Sequence, residues 1–406
     1  MEKVYEYAAA VLAEVKRAIA GKDACITKAF ATILAGGHIL IEDVPGVGKT
    51  TLAIAFSRVM GLLDHRVQFT PDVLPADIVG FNMYQKETGQ FVYHPGTIMC
   101  NLFLADEINR TSPKTQSALL EVMEEGKVTV DGVSRKVPQP FVVIATQNPK
   151  GSAGTQLLPE SQLDRFMTCM SMGYPDLQSE MEIAQGKTMT KAEDLQPVLL
   201  PEQLWEMQQY VEQIYVHDHV AKYIVQLATR KNAYIELGVS PRGTIACVRL
   251  AKAWAFLQGR NYVIPDDVTD IFADVAKHRI VLNTKARIGH VTVDATLQEI
   301  LSDVDKQHTK DLGDKRGQFS DWNRGDACHI LYSADLWKHC DWADWVCGTG
   351  TNAACMFVSA DLLQTYHGRY QDSAYRGGKR EKSYGTAYRG SDHVVSGSKS
   401  ALPCAL

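Results

Sequence analysis

The 406-residue chain has no run approaching the ~18 consecutive apolar residues that a membrane-crossing helix requires, so a membrane span is not expected. Nor has it an excess of positive charge: 42 Lys and Arg stand against 47 Asp and Glu, a formal net charge of −5. Binding along a nucleic acid takes clustered basic residues to neutralise phosphates, which speaks against a general nucleic-acid binder while leaving room for a local basic face. The nine cysteines include no Cys-x-x-Cys pair, a scatter that fits a reduced, cytoplasmic chain better than a disulfide framework. The opening "MEKVYEYAAAVLAEVKRAIAG" carries acids and no continuous apolar core, and does not read as a signal peptide. What is present, 45% hydrophobic and 22% charged residues, suffices for a sizeable core divided into two or three domains.

Apolar residues recur at three-to-four spacing in "VYEYAAAVLAEVKRAI" and "CITKAFATILAGG", which predicts two N-terminal helices stopped at Gly21 and Gly36. "HILIED" then reads as a short buried strand, and further strands fall at "RVQFT", "NLFLADE", "FVVIATQNP" and "MTCMSMGYPD", with helices between them. Such alternation predicts a doubly wound parallel α/β sheet. Two stretches interrupt it: β-formers flank Thr88-Gly89 and Asp131-Gly132, so both read as hairpins inserted on the scaffold. After Pro175 the pattern turns helical, with Trp205, Trp254 and Phe256 expected in the core. The expected division is therefore an α/β part over 1–175, a smaller all-α part over 176–305, and a C-terminal tail over 306–406.

The chemistry concentrates first in "EDVPGVGKTT", residues Glu42 to Thr51. A strand, a glycine-containing loop and a helix in that order make an anion-sized nest of backbone N–H groups at a helix N-terminus. Val44, Pro45, Gly46, Val47, Gly48, Lys49, Thr50 and Thr51 are the expected nucleotide-binding residues. Lys49 is placed to reach the β- and γ-phosphates, and the Thr50 hydroxyl to ligate Mg²⁺. One position departs from the phosphate-loop pattern: its first glycine is replaced by Asp43, preceded by a second acid, Glu42. Asp tolerates unusual turn angles, so an acid there need not face the phosphates.

"LFLADE" reads as a buried strand that delivers Asp106 and Glu107 at its C-terminal tip, where doubly wound sheets bind ligands. Asp106 is expected in the Mg²⁺ shell, and Glu107 as the general base that orients the attacking water.

Six ordered motifs, "EDVPGVGKT", "LADEINR", "PKTQSALLEVMEE", "IATQNP", "LPESQLDRF" and "SPR", resemble the MoxR family of AAA+ ATPases over roughly residues 4–305. That resemblance implies a P-loop AAA+ sheet with hairpin insertions followed by an all-α lid. It implies ATP and Mg²⁺ as cofactors, and a ring of subunits, usually a hexamer, that remodels or matures client proteins, often ones bearing a von Willebrand A domain. Asn148 matches the first sensor, which hydrogen-bonds the γ-phosphate or water. Arg242 matches the second sensor; Ser240 as N-cap and Pro241 at the first helical position would aim it from the helical part toward the nucleotide. Arg165 matches the arginine finger a neighbouring subunit supplies, with Arg110 as a second candidate and an ion pair to Asp164 or Glu160 as the structural alternative. His94, alone before Pro95, reads as a loop residue rather than a ligand.

Two other motors share this architecture, a helicase-related nucleic-acid motor and a chelatase-type subunit, and a nucleotide-gated switch with negligible turnover is a further reading. A nucleic-acid motor needs basic hairpin tips. The second hairpin offers Lys127, Arg135 and Lys136, but the first only Lys86 beside Glu87. The tail carries five of the nine Cys and four of the six Trp, then a polar Gly-rich stretch from Tyr366 to Gly390, and reads as disordered or outside the functional fold, as from a shifted reading frame. Cys328, His329, His339, Cys340, Cys347 and Cys355 lack metal-site spacing.

Overall fold

The computed structural model describes residues 2–44, 46–147, 158–175, 177–185, 190–230 and 232–315. The expected tail therefore lies outside the described residues from 316 onward, as do Pro45 and Asn148.

Helices α1 (Glu2–Lys16) and α2 (Asp23–Leu34) lead into β1 (Ile39–Glu42) and α3 (Lys49–Val59). There follow β2 (Asp64–Gln68), the short α4 (Pro75–Val79), a hairpin of β3 (Gly80–Gln85) and β4 (Gln90–Pro95), then β5 (Leu102–Asp106) and α5 (Pro113–Glu125). A second hairpin, β6 (Lys127–Val130) and β7 (Val133–Lys136), precedes β8 (Val142–Gln147), the single-turn α6 (Glu160–Leu163) and β9 (Thr168–Met170). The helical part holds α7 (Leu177–Ala184), α8 (Pro201–Glu212), α9 (Asp218–Thr229), β10 (Ile235–Leu237), α10 (Pro241–Leu257), α11 (Pro265–Ala276), β11 (Val281–Leu282), α12 (Thr284–Ile288) and α13 (Val293–Lys315). The last helix runs past the boundary expected near 305.

The main sheet has the order β2-β5-β8-β1-β9, and every pairing in it is parallel. Period-two alternation divides its side chains between two apolar cores. Ile39, Ile41, Leu102, Leu104, Val142 and Ile144 join the core shared with α1 to α3 and the helical part. Leu40, Phe103, Ala105, Val143 and Ala145 join the core packed on α5. Strands covered on both faces read as continuous apolar runs, which is why they were visible in sequence.

Both hairpins form where turn chemistry placed them, and they are tied together. Asn82 Nδ2 donates to Asp131 at 2.7 Å, and the Arg135 guanidinium lies 3.9 Å above the Tyr93 ring. His94 belongs to β4 and stacks on Phe81. Trp254 and Phe256 are buried as expected, but Trp205 is 45% exposed. On α8 the buried stripe is Leu204, Met207 and Val211, and Trp205 falls off it.

His38, just before β1, joins three elements: its Nδ1 accepts the Val143 N–H at 3.0 Å, and Nε2 donates to the Met123 carbonyl at 3.1 Å. This fixes the neutral ring as the Nε2–H tautomer. It also places the C-terminal end of α5 at the N-terminal edge of the sheet, the edge opposite the phosphate loop.

Candidate active site

β1 ends at Glu42, and the chain turns through Gly46 (φ 88°) and Gly48 (φ 95°) before α3 begins at Lys49. A Cβ at Gly46 would meet nothing within 4 Å, so the glycine is required by its backbone angle rather than by crowding. Lys49 Nζ donates to the carbonyls of Asp43 at 2.8 Å and Val44 at 3.0 Å. Burial pushes the Lys49 ammonium down from its ordinary range, against the opposing carboxylates of Asp43, Asp106 and Glu107. Thr50 follows on the first turn of α3.

Neither acid at the mouth of the loop faces the nest. The Asp43 carboxylate turns toward the segment after β9 and accepts from Met172 N at 2.5 Å, Gly173 N at 2.9 Å and Ser171 Oγ at 3.1 Å. Glu42 accepts from Gln147 Nε2 at 2.7 Å, the residue opposite it in the β1–β8 register.

β5 brings Asp106 and Glu107 to the same edge of the sheet. Asp106 accepts the Thr146 hydroxyl at 2.6 Å and Arg66 at 2.7 Å. Glu107 adopts a left-handed backbone conformation, φ 56°. For a residue other than glycine this costs about 1–2 kcal/mol and re-aims the side chain. Its N–H is held by Thr146 Oγ1 at 2.9 Å. Its Oε2 accepts from Gln68 at 2.9 Å and from Arg110 at 2.7 Å. Thr146, Arg66 and Gln68 escaped the sequence reading because their roles come from strand order, which no local pattern states. The register pairing Gln68 with Asp106 is what brings the first of these acids within reach of β2.

The donor set fits a nucleotide and its metal. Positive-φ glycines, a buried lysine and a threonine suit a polyphosphate. Among the described residues no group of three or more His, Cys, Asp or Glu stands ready to hold a metal by itself. Thr50 and Asp106 would offer Mg²⁺ the one or two protein oxygens it takes, the rest of its shell being water and phosphate.

Three comparisons bear on this geometry. The profile of the ATPase family associated with various cellular activities (AAA) matches residues 38–168, and that of the AAA lid domain matches residues 227–300. Chaperone MoxR1 of Mycobacterium tuberculosis is 38% identical over 302 residues, 72% of this chain and 80% of that protein. The chain belongs to the MoxR family of AAA+ ATPases. A Bacillus subtilis protein, YeaC, is 45% identical over 71% of this chain and 92% of its own length. A crystal structure of a Cytophaga hutchinsonii protein, described as a candidate ATPase, superposes with a TM-score of 0.69 at 35% identity, over 74% of this chain and 94% of that one.

In this MoxR-family chain Arg165, expected as a finger for a neighbouring subunit, and Arg242, expected to aim at the nucleotide, meet at one carboxylate, that of Glu124. Arg165 precedes the parallel strand β9 and so stands at the N-terminal edge of the sheet, opposite Lys49; Arg242 opens α10 and joins it there through their shared partner Glu124. Arg242 therefore does not aim at the phosphate loop of its own chain, contrary to the expectation from its helix start. Arg165 pairs with neither Asp164 nor Glu160. Its Nε donates to Glu124 Oε2 at 2.9 Å, and Arg242 donates to the other oxygen of the same carboxylate at 2.5 Å. Asp164 instead takes Arg279 at 2.7 Å and the hydroxyl of the N-cap Ser240 at 2.9 Å, binding the helical lid to the α/β part. Arg110, the second finger candidate, sits beside its own Glu107. Asn148 and Pro45 lie outside the described residues.

Proposed function

We propose that this chain is a cytoplasmic Mg²⁺-dependent ATPase that works as a ring, a hexamer by family likeness, to remodel or mature client proteins in the manner of a chaperone. The α/β part over 1–175 is read as the nucleotide-binding domain and 176–305 as its lid. Val44, Pro45, Gly46, Val47, Gly48, Lys49, Thr50 and Thr51 wrap the phosphates, and Glu107 orients and deprotonates the attacking water. Asn148, the residue that follows Gln147 at the end of β8, is suited to the γ-phosphate or water. Thr50 and Asp106 would hold Mg²⁺, which supplies charge neutralisation at the β- and γ-phosphates.

The observation that carries the ring reading is the placement of Arg165 and Arg242. The six residues of β8, at about 3.3 Å each, put roughly 20 Å between the two edges of the sheet. The pair is out of reach of its own nucleotide but exposed for a neighbour's, where guanidinium groups can stabilise charge developing on the γ-phosphate. A protein client is favoured over nucleic acid by the first hairpin, which exposes Phe81, Met83, Tyr84 and Phe91 and, of basic residues, only Lys86 beside Glu87. A von Willebrand A domain protein is the client type the MoxR likeness suggests. The likeness to Chaperone MoxR1 supports the remodelling role.

The test mixes Lys49→Ala and Arg165→Ala proteins, each inactive alone. Mixed assemblies contain interfaces with an intact phosphate loop on one side and an intact arginine on the other, so activity should recover. No recovery, together with turnover per chain independent of protein concentration, would overturn the ring reading.

A further inference from the structure

The carboxylate of Glu124 at the end of α5 sits between two guanidinium groups that arrive from different parts of the chain. Arg165 comes from the loop before β9 and Arg242 from the first turn of α10, and each takes one oxygen. Two like charges held side by side need an anion between them. Here that anion belongs to the protein.

The neighbouring acid behaves differently. Asp164 pairs with Arg279, whose side chain is only 2% exposed, and a buried pair of that kind is a permanent tie. The side chains of Glu124, Arg165 and Arg242 are 38%, 29% and 46% exposed. Exposed pairs contribute about 0.2–1 kcal/mol each, and phosphate is a strong bidentate partner for arginine. The Glu124 pairs are therefore displaceable where the Asp164 pair is not. Arg165, with Arg242 beyond it, holds the Glu124 carboxyl below its usual range, so it stays ionised.

We infer that Glu124 is a positioning residue, a built-in substitute for phosphate. It holds Arg165 and Arg242 together on the free face of a subunit and yields them to the γ-phosphate of the nucleotide on the neighbouring subunit. This rests on the ring reading above. Because the pair also ties α5 to α10, the exchange reports a neighbour's nucleotide state directly to the lid. Glu124 acts through the arginines and touches no reacting atom, so its removal should favour the phosphate in the competition.

The test reads nucleotide-driven assembly by sedimentation velocity, titrating the full chain with a non-hydrolysable ATP analogue and Mg²⁺. Glu124→Gln should lower the analogue concentration for half-maximal assembly about three- to tenfold, and Glu124→Ala should do the same. The shift should shrink by at least half when Arg165→Gln is present in the same chain, which a purely structural role would not produce. Thermal melts of each variant establish that it is folded. An unchanged or raised half-assembly concentration in both folded variants would overturn the assignment, as would a shift that persists undiminished with Arg165→Gln. Failure of the parent chain to assemble at all would instead overturn the ring reading.

Discussion

The Asp43 carboxylate accepts the backbone N–H of Gly173 at 2.9 Å, linking the first position of the phosphate loop to the chain leaving the far edge strand. The same oxygen takes Met172 N. Asp43→Ala leaves these donors without their acceptor, at about 1–3 kcal/mol. The melting temperature should fall by several degrees, while ATP affinity, measured by isothermal titration, should stay within about threefold. A large gain in affinity would mean that the carboxylate had been repelling phosphate.

Glu107→Gln keeps the shape and the contacts of the side chain but removes its basicity. ATP binding should persist, while hydrolysis should drop on the order of 10²–10⁴-fold. Turnover comparable to the parent would exclude Glu107 as the base.

Thr146 holds both acids at once, donating to Asp106 and accepting from the N–H of the left-handed Glu107. Thr146→Val preserves volume and removes both bonds. The expected result is a loss in kcat of about tenfold or more with a smaller change in KM, because the strained Glu107 backbone relaxes away from its working geometry. Steady-state kinetics decide it.

Asp164→Ala leaves the buried Arg279 charge without its counter-ion, its backbone carbonyl partners remaining, and removes the acceptor of the Ser240 hydroxyl. Removing one partner of a buried pair costs about 3–5 kcal/mol, so the melting temperature should fall by about 10 °C. Arg165→Ala, which breaks only an exposed pair, should change it by no more than a degree or two.

Acid should weaken the fold through His38. Burial pushes its imidazole down from 6.5 to about 4. The unfolded chain therefore binds the proton more readily, and stability fully present above pH 6.5 is lost as pH falls toward 4, at no more than about 1.4 kcal/mol per pH unit. Thermal melts between pH 7.5 and 4.5 should show this slope, and His38→Gln should make it shallower, the remainder coming from His278, whose imidazole burial also pushes down.

Much of this architecture was written locally. Strand, glycine loop and helix are contiguous around Gly46 and Gly48, and the acids at Asp106 and Glu107 end a single apolar run. The hairpins announce themselves at Thr88-Gly89 and Asp131-Gly132. Each depends on residues a few positions apart, where backbone preference and apolar periodicity act directly. Trp205 shows the limit: a large aromatic in a helical stretch was expected inside, but the α8 stripe that packs against the core passes beside it.

The sequence by itself therefore determined a phosphate loop, its companion acids, the parallel sheet and the family. Only the tertiary structure decided that Asp43 serves residues 171–173, that Thr146 and Arg66 hold Asp106, and that Glu124 gathers Arg165 and Arg242 at the edge of the sheet away from Lys49. Those partners lie 40 to 130 positions apart in the chain. Strand order and helix docking bring them together, and the folding of the whole chain sets both.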